Sequence, residues 1–317
     1  MLQLTILGSN AASPAFNRHP TAQVLTLPYA RFLIDCGEGT QMQLMRYRIK
    51  ANRIARIFIT HLHGDHYLGL VGLLSTMHLL KRTQDLHIHA PRELAEIIRV
   101  NLYHSQTVLH YPVHFHPVPL QGGEVIYDDG QYVVETLLMN HRIPCLGYLF
   151  RENPRKRRVL TELLPPGTHW RVMAQLKEGQ DVHEEGQLRF RAEDYTYRPP
   201  SFSFAHCADT LYSESILPQI EGVNLLYHES TFLHEDLEKA EATFHSTARQ
   251  AALLAQKASV GKLVIGHFSA RYRDLTPFLE EAKNIFPATE LAIEGETITL
   301  REENEPTDKD EIADIED

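Results

Sequence analysis

Cysteine is scarce in this chain. Cys36, Cys145 and Cys207 are its three cysteines in 317 residues. They are scattered and odd in number, so they form no disulfide framework, and a reducing cytoplasm is the expected compartment. Long apolar runs are missing as well. No stretch approaches the ~20 residues that a membrane-spanning helix needs, so no membrane partner is expected. Met1 to Gly8 is apolar without a basic leader, which reads as a first strand and not as a signal peptide. Positive net charge is absent too: the chain carries −10. Residues 302–317 hold nine acids against Lys309, a net of −8, which leaves −2 for everything before them. That segment reads as an acidic, disordered, solvating tail. The nearly neutral remainder gives no global support to a polyanionic partner. Local support comes from Arg155-Lys156-Arg157-Arg158, which suits either a solvated loop or nucleic-acid contact.

What is present is a concentration of ligand-type side chains in His61-Leu62-His63-Gly64-Asp65-His66. The preceding Arg56-Ile57-Phe58-Ile59-Thr60 is short, β-branched and aromatic, and predicts a buried strand. The following Tyr67–Arg82 has apolar residues at Leu70, Val71, Leu74, Met77 and Leu80, which predicts a helix. The cluster therefore sits where a strand gives way to a helix, a common site position in α/β proteins. His61 and His63 are two apart, so an extended backbone points both to one side. Asp65 and His66 are adjacent and should diverge, free to serve a second centre, with Gly64 relaxing the backbone between the pairs. Imidazole with carboxylate suits zinc, and also manganese or iron.

The first third alternates strands and helices. Leu2–Leu7 predicts a strand, Gln23–Leu27 and Phe32–Ile34 a pair, Glu38–Tyr47 a helix, and His87–Ala90 then Pro91–Leu102 a strand and helix. Glu124–Tyr127 and Tyr132–Met139 flank a hairpin turn at Asp128-Asp129-Gly130-Gln131. Residues 151–200 break the alternation with the basic run, Pro165-Pro166-Gly167 and Pro199-Pro200, and read as an excursion from the domain. Strands are predicted again at Phe202–Ala205, Asn224–Tyr227 and Lys262–Ile265, and helices at Ser213–Ile220, Ser246–Ala258 and Asp274–Ile285. Three further ligand candidates follow strands in the same way: His141, Asp209 and His267. Each alone is weak among 19 histidines; their agreement carries the case.

His61-x-His63-x-Asp65-His66 with His141, Asp209 and His267 resembles the metal signature of the metallo-β-lactamase superfamily. Asp35-Cys36-Gly37-Glu38-Gly39-Thr40-Gln41, Tyr227-His228-Glu229-Ser230-Thr231-Phe232, His245-Ser246-Thr247-Ala248 and Gly266-His267-Phe268-Ser269 narrow the resemblance to the ribonuclease Z family of tRNA 3′-processing endonucleases. The similarity runs from Met1 to about Arg301, apart from the excursion.

The resemblance implies an α/β fold, a four-layer αβ/βα sandwich, over residues 1–301, with an inserted arm at about 151–200. It implies two zinc ions per subunit. His61, His63 and His141 would hold one, Asp65, His66 and His267 the other, and Asp209 would bridge them. Asp35 would orient a ligand histidine. Asp65 would also accept the proton of the attacking water. His245 is the candidate proton donor or phosphate clamp, at the start of a helix whose free N–H groups and dipole favour an anion. The implied reaction is hydrolysis of precursor tRNA at the 3′ side of the acceptor stem, leaving a 3′-hydroxyl, by a homodimer. The same metal site could serve a small phosphodiester or other ester, or belong to a non-catalytic RNA-binding protein. The chain departs from the family pattern at Gly167-Thr168, where the arm tip commonly has Gly-Pro. It departs again at Ala208 before Asp209, where glycine is common, and at Ser230 after Glu229, where alanine is commoner.

Overall fold

The structure, a computed structural model, describes residues 1–302. The acidic tail expected at 302–317 lies beyond Glu302 outside the described residues. The chain divides into two compact units, one of Met1–Arg151 with Phe202–Leu300, the other built on Glu152–Ser201.

In the larger unit, alternation of side chains along each strand dictates the layering. The first half supplies β1 (Leu2–Gly8), β2 (Ala22–Thr26), β3 (Arg31–Ile34), β4 (Arg56–Phe58), β5 (Leu86–Ala90) and β6 (Val113–Pro117). The second half supplies β7 (Val125–Asp128), β8 (Tyr132–Leu138), β9 (Leu146–Glu152), β10 (Ser203–Cys207), β11 (Leu225–Glu229), β12 (Lys262–Gly266), β13 (Thr289–Leu291) and β14 (Thr297–Leu300). Two seven-stranded sheets result, in the orders β14-β1-β2-β3-β4-β5-β6 and β13-β12-β11-β10-β9-β8-β7.

Phe58 of β4 and Val264 of β12 point into a core shared by both sheets. Their neighbours Ile57 and Ile59 join a second core, beneath helices α1 (Thr40–Arg46), α3 (Leu70–Leu79) and α4 (Leu94–His104). Leu263 and Ile265 join a third, with α6 (Ala248–Lys257) and α7 (Thr276–Lys283). Three apolar layers thus separate four layers of secondary structure, the αβ/βα sandwich the sequence implied. The strands β3 to β6 are mutually parallel, as are β10 to β13. Their C-terminal ends are where loops can gather ligands.

The helix predicted over Tyr67–Arg82 is broken. It begins earlier as α2 (Gly64–Tyr67), and α3 starts after Gly69. A Cβ on Gly69 would meet the Gly37 carbonyl oxygen at 2.1 Å, and one on Gly37 would meet the Asp65 carbonyl oxygen at 2.4 Å. Only glycine lets the Asp35-Cys36-Gly37 turn pass this close beneath the histidine loop. Two backbone bonds stitch the pair: Cys36 N to His66 O at 2.7 Å and Gly69 N to Cys36 O at 2.9 Å.

The smaller unit has its own apolar cluster of Leu164, Leu176, Val182, Phe190 and Ala192. Within its basic run, Arg155 pairs with Glu152 at 2.6 Å, Lys156 reaches Glu178 at 3.5 Å, and Arg157 donates to Thr196 Oγ1 at 3.1 Å. No helix among the described residues is long and apolar enough to cross a membrane.

Candidate metal centre

Every strand end that was expected to carry a ligand delivers it to one place. His61 and His63 leave the loop after β4. Asp65 and His66 lie in α2, and His141, Asp209 and His267 follow β8, β10 and β12. His61, His63, His141 and Asp209 bring one ligand atom each to within 4.8 Å of one another, and Asp65, His66 and His267 form a second such group.

The inner edges are short. His61 Nε2 lies 3.0 Å from His63 Nδ1, and His141 Nε2 lies 3.2 Å from the same atom. Asp209 Oδ2 is 3.6 Å from His61 Nε2 and 3.8 Å from His141 Nε2. On the other side, Asp209 Oδ1 is 3.4 Å from His66 Nε2 and 3.3 Å from His267 Nε2. Asp65 Oδ2 completes that group at 3.6 Å from His66 Nε2 and 3.4 Å from His267 Nε2. Asp209 therefore presents one carboxylate oxygen to each group. Asp65 and His66, expected to diverge, converge instead, because α2 folds the chain back over its own loop.

Does this donor set fit cations? Bonds of ~2.0–2.1 Å in a tetrahedron place ligand atoms ~3.3–3.4 Å apart, and the edges above scatter around that value. His66 Nε2, His267 Nε2 and Asp209 Oδ1 are buried without a hydrogen-bond partner in the protein. Such orphaned atoms are costly unless something answers them. All three face the same point, and each is a good ligand for a hard or borderline divalent ion. The residues fit two cations.

The outer nitrogens are tied down, which sets which nitrogen faces inward. His66 Nδ1 donates to Asp35 Oδ2 at 2.8 Å, and His141 Nδ1 donates to the Phe244 carbonyl at 2.9 Å. Thr60 has one hydroxyl proton. It is spent on Asp35, 3.0 Å away, so Thr60 Oγ1 must accept from His61 Nδ1 at 3.0 Å. Thr231 repeats the arrangement on the other sheet. Its hydroxyl donates to Glu229 Oε2 at 2.8 Å and accepts from His267 Nδ1 at 2.9 Å. A buried carboxylate on each sheet thus orients one histidine directly and another through a threonine. Asp35 and His267 sit at φ 55 and φ 60, a left-handed backbone that costs roughly 1–2 kcal/mol for a non-glycine residue. These bonds over-determine that conformation.

Electrostatics divide the histidines. Burial keeps His61, His63 and His141 below the usual imidazole value, so their inward lone pairs are free at neutral pH. His66 is different: burial works against its charge, yet Asp209, Asp35 and Asp65 hold it well above the usual value. Asp65 and Asp209 are also buried, and neighbouring histidines, His66 and His267 among them, keep both below the carboxylate range. The second group therefore binds positive charge, as a proton or as a cation.

His245 lies at the rim. Its ring centroid is 5.3 Å from His141 and 5.4 Å from His267. Its Nδ1 is 3.0 Å from Glu229 Oε1. Burial disfavours the imidazolium, but the Glu229 carboxylate prevails and lifts the pKa to about 9. The expected phosphate cradle at the helix start does not exist. Ser246 N goes to Glu229, Ala248 N to the Phe232 carbonyl, Arg249 N to Glu281, and Gln250 N to Thr247 in a capping box. With those amides taken, the side chain is what His245 has left to offer at the rim.

Glu229, Thr231 and Thr60 went unassigned in the sequence reading. Glu229 accepts from Thr210 N, Ser246 N, Thr231 N and the Thr231 hydroxyl as well as from His245. The available signal was a carboxylate ending a strand that opens Leu225-Leu226-Tyr227. Arg142 was also missed; its guanidinium lies 3.4 Å from His63 Nε2, the outer nitrogen of that ring.

A ribonuclease Z of Bacteroides thetaiotaomicron is 42% identical over 98% of this chain and 99% of its own. One from Cytophaga hutchinsonii is 45% identical over 92% of this chain and 94% of its own. The chain belongs to the ribonuclease Z family. It is accordingly a phosphodiester-hydrolysing endoribonuclease. The crystal structure of human tRNase Z, short form, superposes with a TM-score of 0.69 at 27% identity, covering 94% of this chain and 99% of that one. A family profile described as anti-Pycsar protein Apyc1 matches residues 2–114, the segment that carries Asp35 through His66.

Proposed function

We propose that the chain cleaves precursor tRNA at the 3′ side of the acceptor stem, leaving a 3′-hydroxyl, with two zinc ions per subunit. The family and the human tRNase Z likeness support the substrate. The single observation that carries the metal reading is Asp209, whose two oxygens serve two separate ligand groups. His61, His63 and His141 would hold one ion and Asp65, His66 and His267 the other. Manganese and iron suit the same ligands. Two such ions supply Lewis acidity toward a phosphodiester and make water acidic enough to attack at neutral pH.

The chain's own residues do the rest. Asp65 is placed to take the proton of the attacking water, because its Oδ2 lies among the atoms that would hold the second ion, 3.6 Å from His66 Nε2 and 3.4 Å from His267 Nε2. Ala12 N donates to that same Oδ2 at 2.7 Å and fixes the carboxylate's orientation. His245, held protonated by Glu229, gives its remaining N–H to the leaving oxygen. Thr60, Thr231, Asp35 and Glu229 keep the imidazoles aimed before substrate arrives, which lowers the reorganisation needed in the transition state.

The separately clustered segment of about 151–200 serves as an arm for tRNA on a hydrolase domain of 1–301. A small-ester enzyme would have little use for it. The working form is a cytoplasmic homodimer, a compartment in keeping with three unpaired, buried cysteines. The test is Asp209→Ala, read by metal content per chain and by mapping the cut in a precursor tRNA. Both metals and cleavage should be lost together. A variant that keeps two metals and full cleavage sinks the two-group reading.

A further inference from the structure

Beside the metal centre lies a cavity of about 710 Å³ that the chemistry above does not use. Its walls are Pro91, Pro117, Pro119 and Pro144 with Leu62 and Leu120. Two of the loops that form it also carry the ligands. Leu62 stands between His61 and His63, and Ile143 and Pro144 follow His141 and Arg142. We propose that this cavity receives an unpaired nucleobase adjoining the scissile phosphate, and so helps to choose where the RNA is cut. The proposal rests on the endoribonuclease reading above.

Size, polarity and charge select that occupant. The volume falls within the ~300–1,000 Å³ typical of sites for small ligands, and is too confined for a helix of a protein partner. Apolar walls suit the faces of a base, which any sequence can offer. They do not suit a phosphate. The charges of the lining come from Arg92 and Glu93, one of each sign, and the acid would repel an anion. Arg92 can stack its guanidinium plane on a base. Four prolines have their φ fixed before any ligand arrives, so ordering the wall costs little on binding.

Phosphate contact falls to the neighbouring Arg142. It is exposed, and it stands between the ligand His141 and the cavity residue Ile143. A strand whose scissile phosphate lies at the metal centre then passes Arg142 and turns its next base into the cavity. That path needs an unpaired nucleotide, because a paired base cannot leave its stack without a cost of a few kcal/mol.

The test uses precursor tRNAs made abasic, one at a time, at the nucleotides on each side of the cut. One position should lose about tenfold in kcat/KM, the scale of a single base-stacking contact. Leu120→Trp puts an indole at the cavity wall, where it competes with a base for the same apolar faces. It should lose about tenfold on the intact precursor and under about twofold on the precursor already abasic at that position, since the contact is then gone. A 2-aminopurine at the sensitive position should change emission on binding, before the first turnover, and should not with Leu120→Trp. Equal losses on intact and abasic precursors, or no sensitive position, overturn the proposal. So does a change in oligomeric state with unchanged kinetics, which would make the cavity a contact between copies. A wild-type enzyme that cleaves a chromogenic diester but no precursor would instead sink the endoribonuclease reading, and the emission change would still decide the cavity.

Discussion

Replacing Glu229 by glutamine separates positioning from proton supply at His245. The side chain keeps its size, but it loses the charge that holds the imidazolium. With Glu229 present, His245 titrates at about 9. Without that carboxylate, burial draws it back toward the ordinary value of 6.5, with Asp209 still opposing the fall. At pH 8 the protonated fraction would fall from ~90% to ~3%, roughly a thirtyfold loss of the acid form. At pH 6 both forms stay mostly protonated, and the loss shrinks to under about twofold. A second, pH-independent cost is added. An amide cannot accept from all of Thr210 N, Ser246 N, Thr231 N and His245 at once, so one buried donor goes unpaired. The assay is kcat/KM on a precursor tRNA from pH 6 to 9 for both proteins, with metal content matched. The ratio of the two cancels every titration they share. It should widen by more than tenfold as pH rises from 6 to 8. Parallel profiles would refute the role of His245 as an acid, whatever the size of the common loss.

Two further perturbations address the fold and the arm. His89 stacks on Phe58 with centroids 4.8 Å apart, donates to no carboxylate, and is lowered to about 3 by burial and by the charges of His116 and Arg56. Its folded pKa is depressed, so the unfolded chain takes up the proton first and stability falls as pH drops below 6.5. At pH 5 this amounts to about 2 kcal/mol. Urea unfolding at pH 7 and 5 should show a pH loss smaller by about that increment in His89→Phe than in the wild type; equal pH losses would refute it. Deleting residues 153–200 and closing the gap with Gly-Asn should be tolerated, because Arg151 and Ser203 are already antiparallel partners. Cleavage of precursor tRNA should fall on the order of a hundredfold, as for loss of several phosphate contacts. Hydrolysis of a chromogenic diester should persist, and equal losses on both would make the arm structural.

The residues that gather at the candidate metal centre were legible in the sequence for a physical reason. A buried strand has an unmistakable apolar signature, and a ligand placed just after one is marked by the strand itself. His61, His141, Asp209 and His267 all follow strands in this way; each alone is weak, but their agreement let four segments far apart in the chain be joined before any fold was known. Glu229 obeys the same rule but was passed over, because it ends its strand instead of following it. Thr60 and Thr231 could not be found at all. A threonine next to a ligand looks like a strand residue, and its role depends on where one hydroxyl proton goes. That is decided by Asp35 and Glu229, which lie 25 residues before Thr60 and two before Thr231. The break of the predicted helix at Gly69 was hidden for a related reason, since the atom that forbids a side chain there belongs to Gly37.

What the sequence hides here is contact across the fold, and contact is what separates a list of ligands from a working site. The two halves of the centre show this most directly. Each sheet contributes a buried carboxylate, one threonine and two histidines, in unrelated sequence settings: Asp35 with Thr60, His61 and His66, and Glu229 with Thr231, His267 and His245. The halves differ in one member. On the first sheet both histidines turn a nitrogen toward the candidate cation sites. On the second, His267 does so while His245 stays protonated against Glu229. A centre built of matched halves would bind metal and stop there. The departure of His245 from that match would set a proton donor beside the proposed cations, and this asymmetry is what the proposed phosphodiester cleavage needs.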